Sequence, residues 1–296
     1  MTNPFETIPL TGWYPGHMLK AGRQIQEQLR LVDLVVELLD ARIPQTSRNP
    51  AFDRLLGNKP RCLILTKRDL AADPATRAWI ECFKQNENTT ALALDSRNGR
   101  EVGRLLPLFQ RLVKTEARTG LAKRALRPPR IMIVGIPNVG KSTLLNRLAA
   151  GKKAQVGPRP GVTRSQQWVT LRDRLELLDT PGVLWPRIQD KTTELKLGLA
   201  GTIKDELIGE ELLAEYLLWW NRNHRSPLSF SSYGIESPGR DAEAMLEQIA
   251  RRRGLLQGGG EIDRGRAASA LLHDFRAGKL GRTTLDGLPN QENRLY

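Results

Sequence analysis

The chain has 296 residues, enough for two domains, and 40% of them are apolar, enough for a sizeable core. Its formal net charge of +14 is far from that of an ordinary metabolic enzyme and implies a polyanionic partner, with RNA ahead of DNA or an acidic membrane surface. The two cysteines, Cys62 and Cys82, argue against a disulfide framework or a cysteine metal centre. No apolar run reaches the length of a membrane span, and the N-terminus lacks the pattern of a secretory signal. A cytoplasmic monomer is expected.

In chain order, residues 1–10 read as irregular and lead to Trp13-Tyr14-Pro15-Gly16-His17-Met18, an aromatic turn with a histidine. Helical spacing runs over 18–31, and a buried strand is expected over 31–39. That strand ends at Asp40-Ala41-Arg42-Ile43-Pro44, where the proline forbids continuation. A short helix is expected over 50–56. Strands at 61–65 and 90–94 alternate with helices at 73–83 and 100–114, as a parallel α/β sheet requires. The basic stretch 114–130 reads as a solvated connector.

Next comes the apolar run Ile131-Met132-Ile133-Val134, then Gly135-Ile136-Pro137-Asn138-Val139-Gly140-Lys141-Ser142-Thr143, then a helical stretch over 144–148. Strand, G-x-x-x-x-G-K-[ST] loop and helix together make a P-loop. Its glycines let the backbone approach an anion, and the loop N–H groups and helix N-terminus point at phosphate oxygens. Lys141 would reach the β- and γ-phosphates and Ser142 would hold Mg2+. Two strands, over 166–171 and 174–178, read as an antiparallel pair, and the second ends at Asp179-Thr180-Pro181-Gly182. Asp179 would contact Mg2+ and the Gly182 N–H would sense a γ-phosphate. Thr163, in the loop between, is the candidate threonine closing on the same ion. Beyond residue 185 only helical spacing remains, over 194–199, 205–220, 241–253 and 262–276.

Base choice is written earlier in the chain. Thr66-Lys67-Arg68-Asp69 resembles the N/T-K-x-D element of GTPases, in which a carboxylate accepts from guanine N1–H and N2–H2, a pair adenine does not offer. Asp69 would be that carboxylate, and Lys67 would lay its stem along the base. Ser96, followed by Arg97, resembles the element supporting guanine O6. Arg97, Asn138, Val139, Gly140 and Thr143 complete the GTP-binding set. The guanine elements precede the P-loop here, so the sheet is a circular permutation of a GTPase sheet, which close chain ends permit.

These motifs, with Pro160-Gly161-Val162-Thr163 and Gln166-Gln167-Trp168, span residues 13 to about 185. Together they resemble the ribosome biogenesis GTPase A (YlqF) family of circularly permuted ribosome-assembly GTPases. The resemblance implies GTP hydrolysis coupled to late maturation of the large ribosomal subunit, whose rRNA and ribosomal proteins would be the partners, with GTP and GDP as ligands. It also implies a fold: an α/β, circularly permuted P-loop GTPase domain over 1–200 with a mostly parallel sheet, then a small all-α domain over 201–296.

The sequence departs from the commoner pattern at Thr66, where asparagine is usual, and at Arg97, where alanine is. Small GTPases orient the attacking water with a glutamine after the switch II glycine; here Val183 and Leu184 follow Gly182. Hydrolysis should therefore be slow alone and stimulated by the large subunit. The resemblance gives His17 a catalytic role, beside Lys141, Thr163 and Gly182, and matches Asn138 to a K+ ligand. His224 and His273 read as surface or packing residues. Arg251, Arg252, Arg253, Arg264, Arg266, Arg276, Lys279 and Arg282 are candidates for a phosphate-binding face. The alternatives are a P-loop ATPase acting on RNA, against which Asp69 counts, and a nucleotide-insensitive RNA-binding scaffold, against which Lys141, Ser142 and Asp179 count.

Overall fold

The structure is a computed structural model and describes residues 3–12, 25–56, 59–86, 88–118, 128–150, 155–157, 168–171, 175–179, 188–224, 227–235, 241–257 and 260–289. The first part of the chain forms β1 (Leu34–Asp40), α1 (Pro50–Leu56), β2 (Arg61–Thr66), α2 (Asp73–Lys84), β3 (Thr89–Ala93), α3 (Gly99–Gly103) and α4 (Leu105–Arg118). Then come β4 (Arg130–Gly135), α5 (Lys141–Ala150), β5 (Gln155–Gly157), β6 (Trp168–Thr170) and β7 (Glu176–Asp179). All seven strands join one sheet in the order β3-β2-β1-β4-β7-β6-β5. From β3 to β7 neighbours run parallel; β6 and β5 extend that edge antiparallel.

A strand in the middle of a parallel sheet is covered on both faces, so it must be apolar on both. β1 meets that demand except at Glu37, a buried carboxylate paired with Arg61. Leu34, Val36 and Leu38 share a core with Phe109 of α4, while Val35 packs on the other face with Phe52 of α1. The strand starts at Leu34, not at residue 31, because its ladder to β4 begins with Leu34 opposite Ile131. The expected antiparallel pair is present as β6 and β7. β5, only three residues long, was not anticipated, and the helix expected over 100–114 is divided at Arg104 between α3 and α4.

The remainder is helical: α6 (Lys191–Leu199), α7 (Asp205–Ile208), α8 (Glu210–Asn223), α9 (Ala242–Arg253) and α10 (Arg264–Arg276). Asp190, Asp241 and Asp263 cap α6, α9 and α10 by accepting from first-turn N–H groups. The helix expected over 205–220 breaks at Gly209, whose φ of 103° a side chain would not tolerate. α8 and α10 pack through Leu213, Leu217 and Leu271, and this core is continuous with the one beneath the sheet.

Both ends of the chain fasten across these layers. Near the N-terminus, Phe5 sets its edge against Tyr216 and Trp219 of α8, at centroid distances of 5.3 and 5.6 Å. After α10 the chain returns to the sheet: Thr283 N–H donates to Leu70 O (3.1 Å) and Leu285 N–H to Arg42 O (2.7 Å). Asp286 accepts from the N–H groups of Gln45 (2.8 Å) and Thr46 (2.9 Å) and pairs with Lys196 (3.0 Å). Among the described residues, no helix is long and apolar enough to cross a membrane.

Candidate nucleotide site

The loop between β4 and α5 passes close to β1. At Gly135, φ is 155° and a Cβ would stand 2.7 Å from Leu38 O, so only glycine fits. Lys141, at the start of α5, is buried and donates through Nζ to the carbonyls of Ile136 (2.7 Å) and Gly135 (3.0 Å). Asn138 holds a left-handed backbone, φ 59°, and its Nδ2 donates to Gly201 O at 2.7 Å. Ser142 is exposed on the first turn of α5. β7 lies beside β4 with Asp179 opposite Ile133, which puts the end of β7 next to the P-loop strand; for Asp179 only this backbone position is described.

The end of β2 meets the same loop. Thr66 is fully buried, and its Oγ1 lies 2.6 Å from Val139 O and 3.0 Å from Leu39 O. A hydroxyl has one proton to donate. The shorter contact makes Thr66 a fastener between β2 and the P-loop. Lys67 follows in the left-handed region, φ 55°, a conformation that costs a non-glycine residue about 1 kcal/mol or more. Asp40, at the end of β1, holds it there at 2.8 Å.

Asp40 is 1% exposed and also accepts from Arg42 through Nε (3.0 Å) and Nη2 (2.7 Å). Burial alone would raise its pKa. The Arg42 guanidinium and the Lys67 ammonium outweigh that and hold the carboxyl well below the usual carboxylate range. Burial lowers the Lys67 pKa, with Asp40 opposing the shift.

Lys67, Asp69, Ser96, Arg97, Val139, Gly140 and Thr143 line one cavity of about 240 Å³. Three separate stretches of sequence therefore meet at one place. Asp69 pairs at the rim with the exposed Arg97. Ser96 is buried, and its Oγ has no hydrogen-bond partner among the described residues; a Cβ at Gly140 would lie 3.7 Å from it. An unpaired buried hydroxyl costs free energy unless something fills the cavity and bonds to it. A planar heterocycle with polar edges fits that demand.

The same cavity is walled by residues the sequence did not assign to it: Arg42, Leu70, Asp95, Ala200 and Arg276. Arg42 lay in view within the Asp-Ala-Arg motif at a strand end; nothing local marked Ala200 or Arg276. Arg276, expected on a phosphate-binding face, instead points inward. It pairs with Asp205 (2.6 and 2.7 Å) and donates to Gly198 O (2.8 Å) and Leu199 O (3.1 Å). Arg264 pairs with Glu243 and Glu247, and Arg253 with Asp274, so these cations too have internal partners. His224 stacks on Trp220 at 4.7 Å, and His273 is exposed beside Asp274. His17, Thr163, Gly182 and Val183 lie outside the described residues.

Residues 130–214 match the family model for a 50S ribosome-binding GTPase. Over 285 residues, 96% of this chain and 99% of the relative, the sequence is 42% identical to Ribosome biogenesis GTPase A of Priestia megaterium. It is 38% identical to Mitochondrial ribosome-associated GTPase 1 of Mus musculus, over 95% of this chain and 93% of that protein. Among solved structures it is similar to the GDP-bound structure of TM YlqF, with a TM-score of 0.64 and 29% identity over 91% of this chain and all of that one. The GNP-bound YlqF from T. maritima gives 0.62 and 30%, over 90% of this chain and 97% of that one.

Proposed function

Because the chain belongs to the Ribosome biogenesis GTPase A family, we propose that it binds and hydrolyses GTP in late assembly of the large ribosomal subunit. It works as a cytoplasmic monomer with a GTPase part over 1–200 and a helical part over 201–296. One observation carries the nucleotide reading: Lys67, Asp69 and Ser96, from before the P-loop, converge on Val139, Gly140 and Thr143 within one cavity. Asp69 accepts the two guanine N–H groups, Ser96 Oγ bonds to the base edge, and Lys67 covers the ring.

The phosphates lie against the P-loop N–H groups and the start of α5, where Lys141 exchanges its carbonyl partners for phosphate oxygens. Ser142, Asp179 and Thr163 would hold Mg2+, which supplies charge neutralisation at those oxygens when bound. Asn138 is a candidate K+ ligand through its Oδ1, since its Nδ2 is already given to Gly201. Val183 cannot orient water, so His17 is the candidate group for that task, and the large subunit would raise a slow intrinsic rate. The net charge of +14 suits an rRNA surface.

The test is titration calorimetry in Mg2+ buffer with GDP and ADP. GDP should bind more than about a hundredfold tighter, because adenine leaves the Asp69 carboxylate unpaired. Asp69→Asn should abolish the preference. Equal affinities in the unmodified protein would overturn the reading.

A further inference from the structure

The C-terminal end of a helix leaves carbonyls without intrahelical partners, and something must bond to them. At the end of α6 the Gly201 N–H donates to Gly198 O (2.8 Å) and the Thr202 N–H to Leu197 O (2.9 Å), and a side chain from α10 adds to them. Arg276, on the last turn of α10, donates to Gly198 O and Leu199 O, and its guanidinium is locked by a two-point pair with Asp205. The tail that follows is thereby fixed, and its next two carbonyls both serve the nucleotide site. Ala200 O accepts from Arg42 Nη2 at 3.1 Å, and Gly201 O accepts from Asn138 Nδ2 at 2.7 Å. Arg42 is held by Asp40, which holds Lys67. A continuous set of hydrogen bonds thus joins α10 to the P-loop and to the base-covering lysine, and Ala200 and Arg276 both stand in the cavity wall.

We propose that Arg276 is a positioning residue of the guanine-nucleotide site. It acts by holding the tail of α6 so that Gly201 orients the Asn138 carboxamide and Ala200 steadies Arg42. The inference goes beyond the GTPase reading but rests on it. It makes the helical layer a structural part of the nucleotide pocket, independently of any movement at switch II. It also requires an arginine, because only a planar fork meets one carboxylate and two carbonyls together. By linkage, a partner that displaces α10 would loosen the nucleotide, and bound nucleotide would resist that displacement by the same free energy.

The experiment is a double-mutant cycle on the full chain, read by the affinity and release rate of a fluorescent GDP analogue. Arg276→Ala and Asn138→Ala should each raise Kd by up to about tenfold, the upper end of what one lost neutral hydrogen bond costs. The double variant should lose less than the sum of the two single losses, because Arg276 acts in part through Asn138 and only the remainder passes through Ala200 and Arg42. Arg276→Lys should not restore affinity. Asp205→Asn, which removes the charge and one of the two acceptor oxygens but leaves Arg276 and its carbonyl contacts in place, should give a smaller loss in the same direction, and it replaces Arg276→Ala in the cycle if that variant does not fold. Additive losses, or an Arg276→Ala protein with native circular dichroism and unchanged affinity, would overturn the inference alone. An unmodified chain that bound no GDP would overturn the nucleotide reading and this inference with it.

Discussion

Two lysine–carboxylate pairs in this protein have the same length and should differ widely in consequence. Lys67–Asp40 and Lys84–Glu81 both measure 2.8 Å. In the first the carboxylate is 1% exposed; in the second the side chains are 46% and 71% exposed. Removing the charge of Asp40 by Asp40→Asn leaves the Arg42 guanidinium, 2% exposed, and Lys67 without their common counter-ion. Breaking a buried pair from one side costs about 3–5 kcal/mol, and the retained amide oxygen places this variant near the lower figure. For a chain of this size that is a fall in melting temperature of about 6–12 °C. Glu81→Gln should cost at most about 0.5 kcal/mol. Because Asp40 also holds Lys67 in its left-handed conformation, GDP affinity should fall with stability in the first variant and stay unchanged in the second. Differential scanning calorimetry and nucleotide titration on the two proteins decide the matter. Melting temperatures agreeing within about a degree would refute the claim that burial, rather than distance, sets the weight of these contacts.

The same carboxylate has a signature in acid. Its folded pKa lies below the ordinary value, so its contribution is complete above that value and is lost as pH falls through the folded one. The stability gap between the unmodified protein and Asp40→Asn should be constant above about pH 5 and shrink below about pH 4 in denaturant titrations; a gap that widened in acid would contradict this. Arg97→Ala removes a competitor for the Asp69 carboxylate at the cavity rim. Because Arg97 is exposed, GDP should bind tighter by no more than about fivefold, a weakening being the adverse result. Burial pushes the Cys62 thiol up to about 12. Peptide mapping after alkylation at pH 8 should therefore find Cys62 labelled only in denaturant.

What could be read from the sequence follows the range over which each feature is determined. The P-loop was legible because its demands are local: two glycines, a lysine and a serine at fixed spacing, with an apolar strand before and a helix after. Thr66–Asp69 and Ser96 were legible because each sits where an apolar strand stops, and their position ahead of the P-loop disclosed the permuted order. β5 was not, since three residues carry too little alternation. The break at Gly209 was missed because apolar spacing continues through it. Arg276 was misplaced for a different reason. Charge counted along the chain does not say which cations find internal partners, and Asp205, Gly198 and Leu199 are brought to Arg276 only by the packing of α6, α7 and α10. Asn138 was singled out, but its partner Gly201 lies in another layer and left no trace in the loop.

The return of residues 283–287 to the sheet bears on how the protein comes into being. Thr66–Asp69 and Ser96 are synthesised early, yet the turn after β1 that lies beside them is completed by Leu285 and Asp286, and a wall of their cavity by Arg276. Chains emerge from the N-terminus and fold as they emerge. A nascent copy that has just completed its P-loop therefore holds Thr66–Asp69 as well but not the braces that set them, and the molecule acquires a finished pocket only after residues 276–286 have been made.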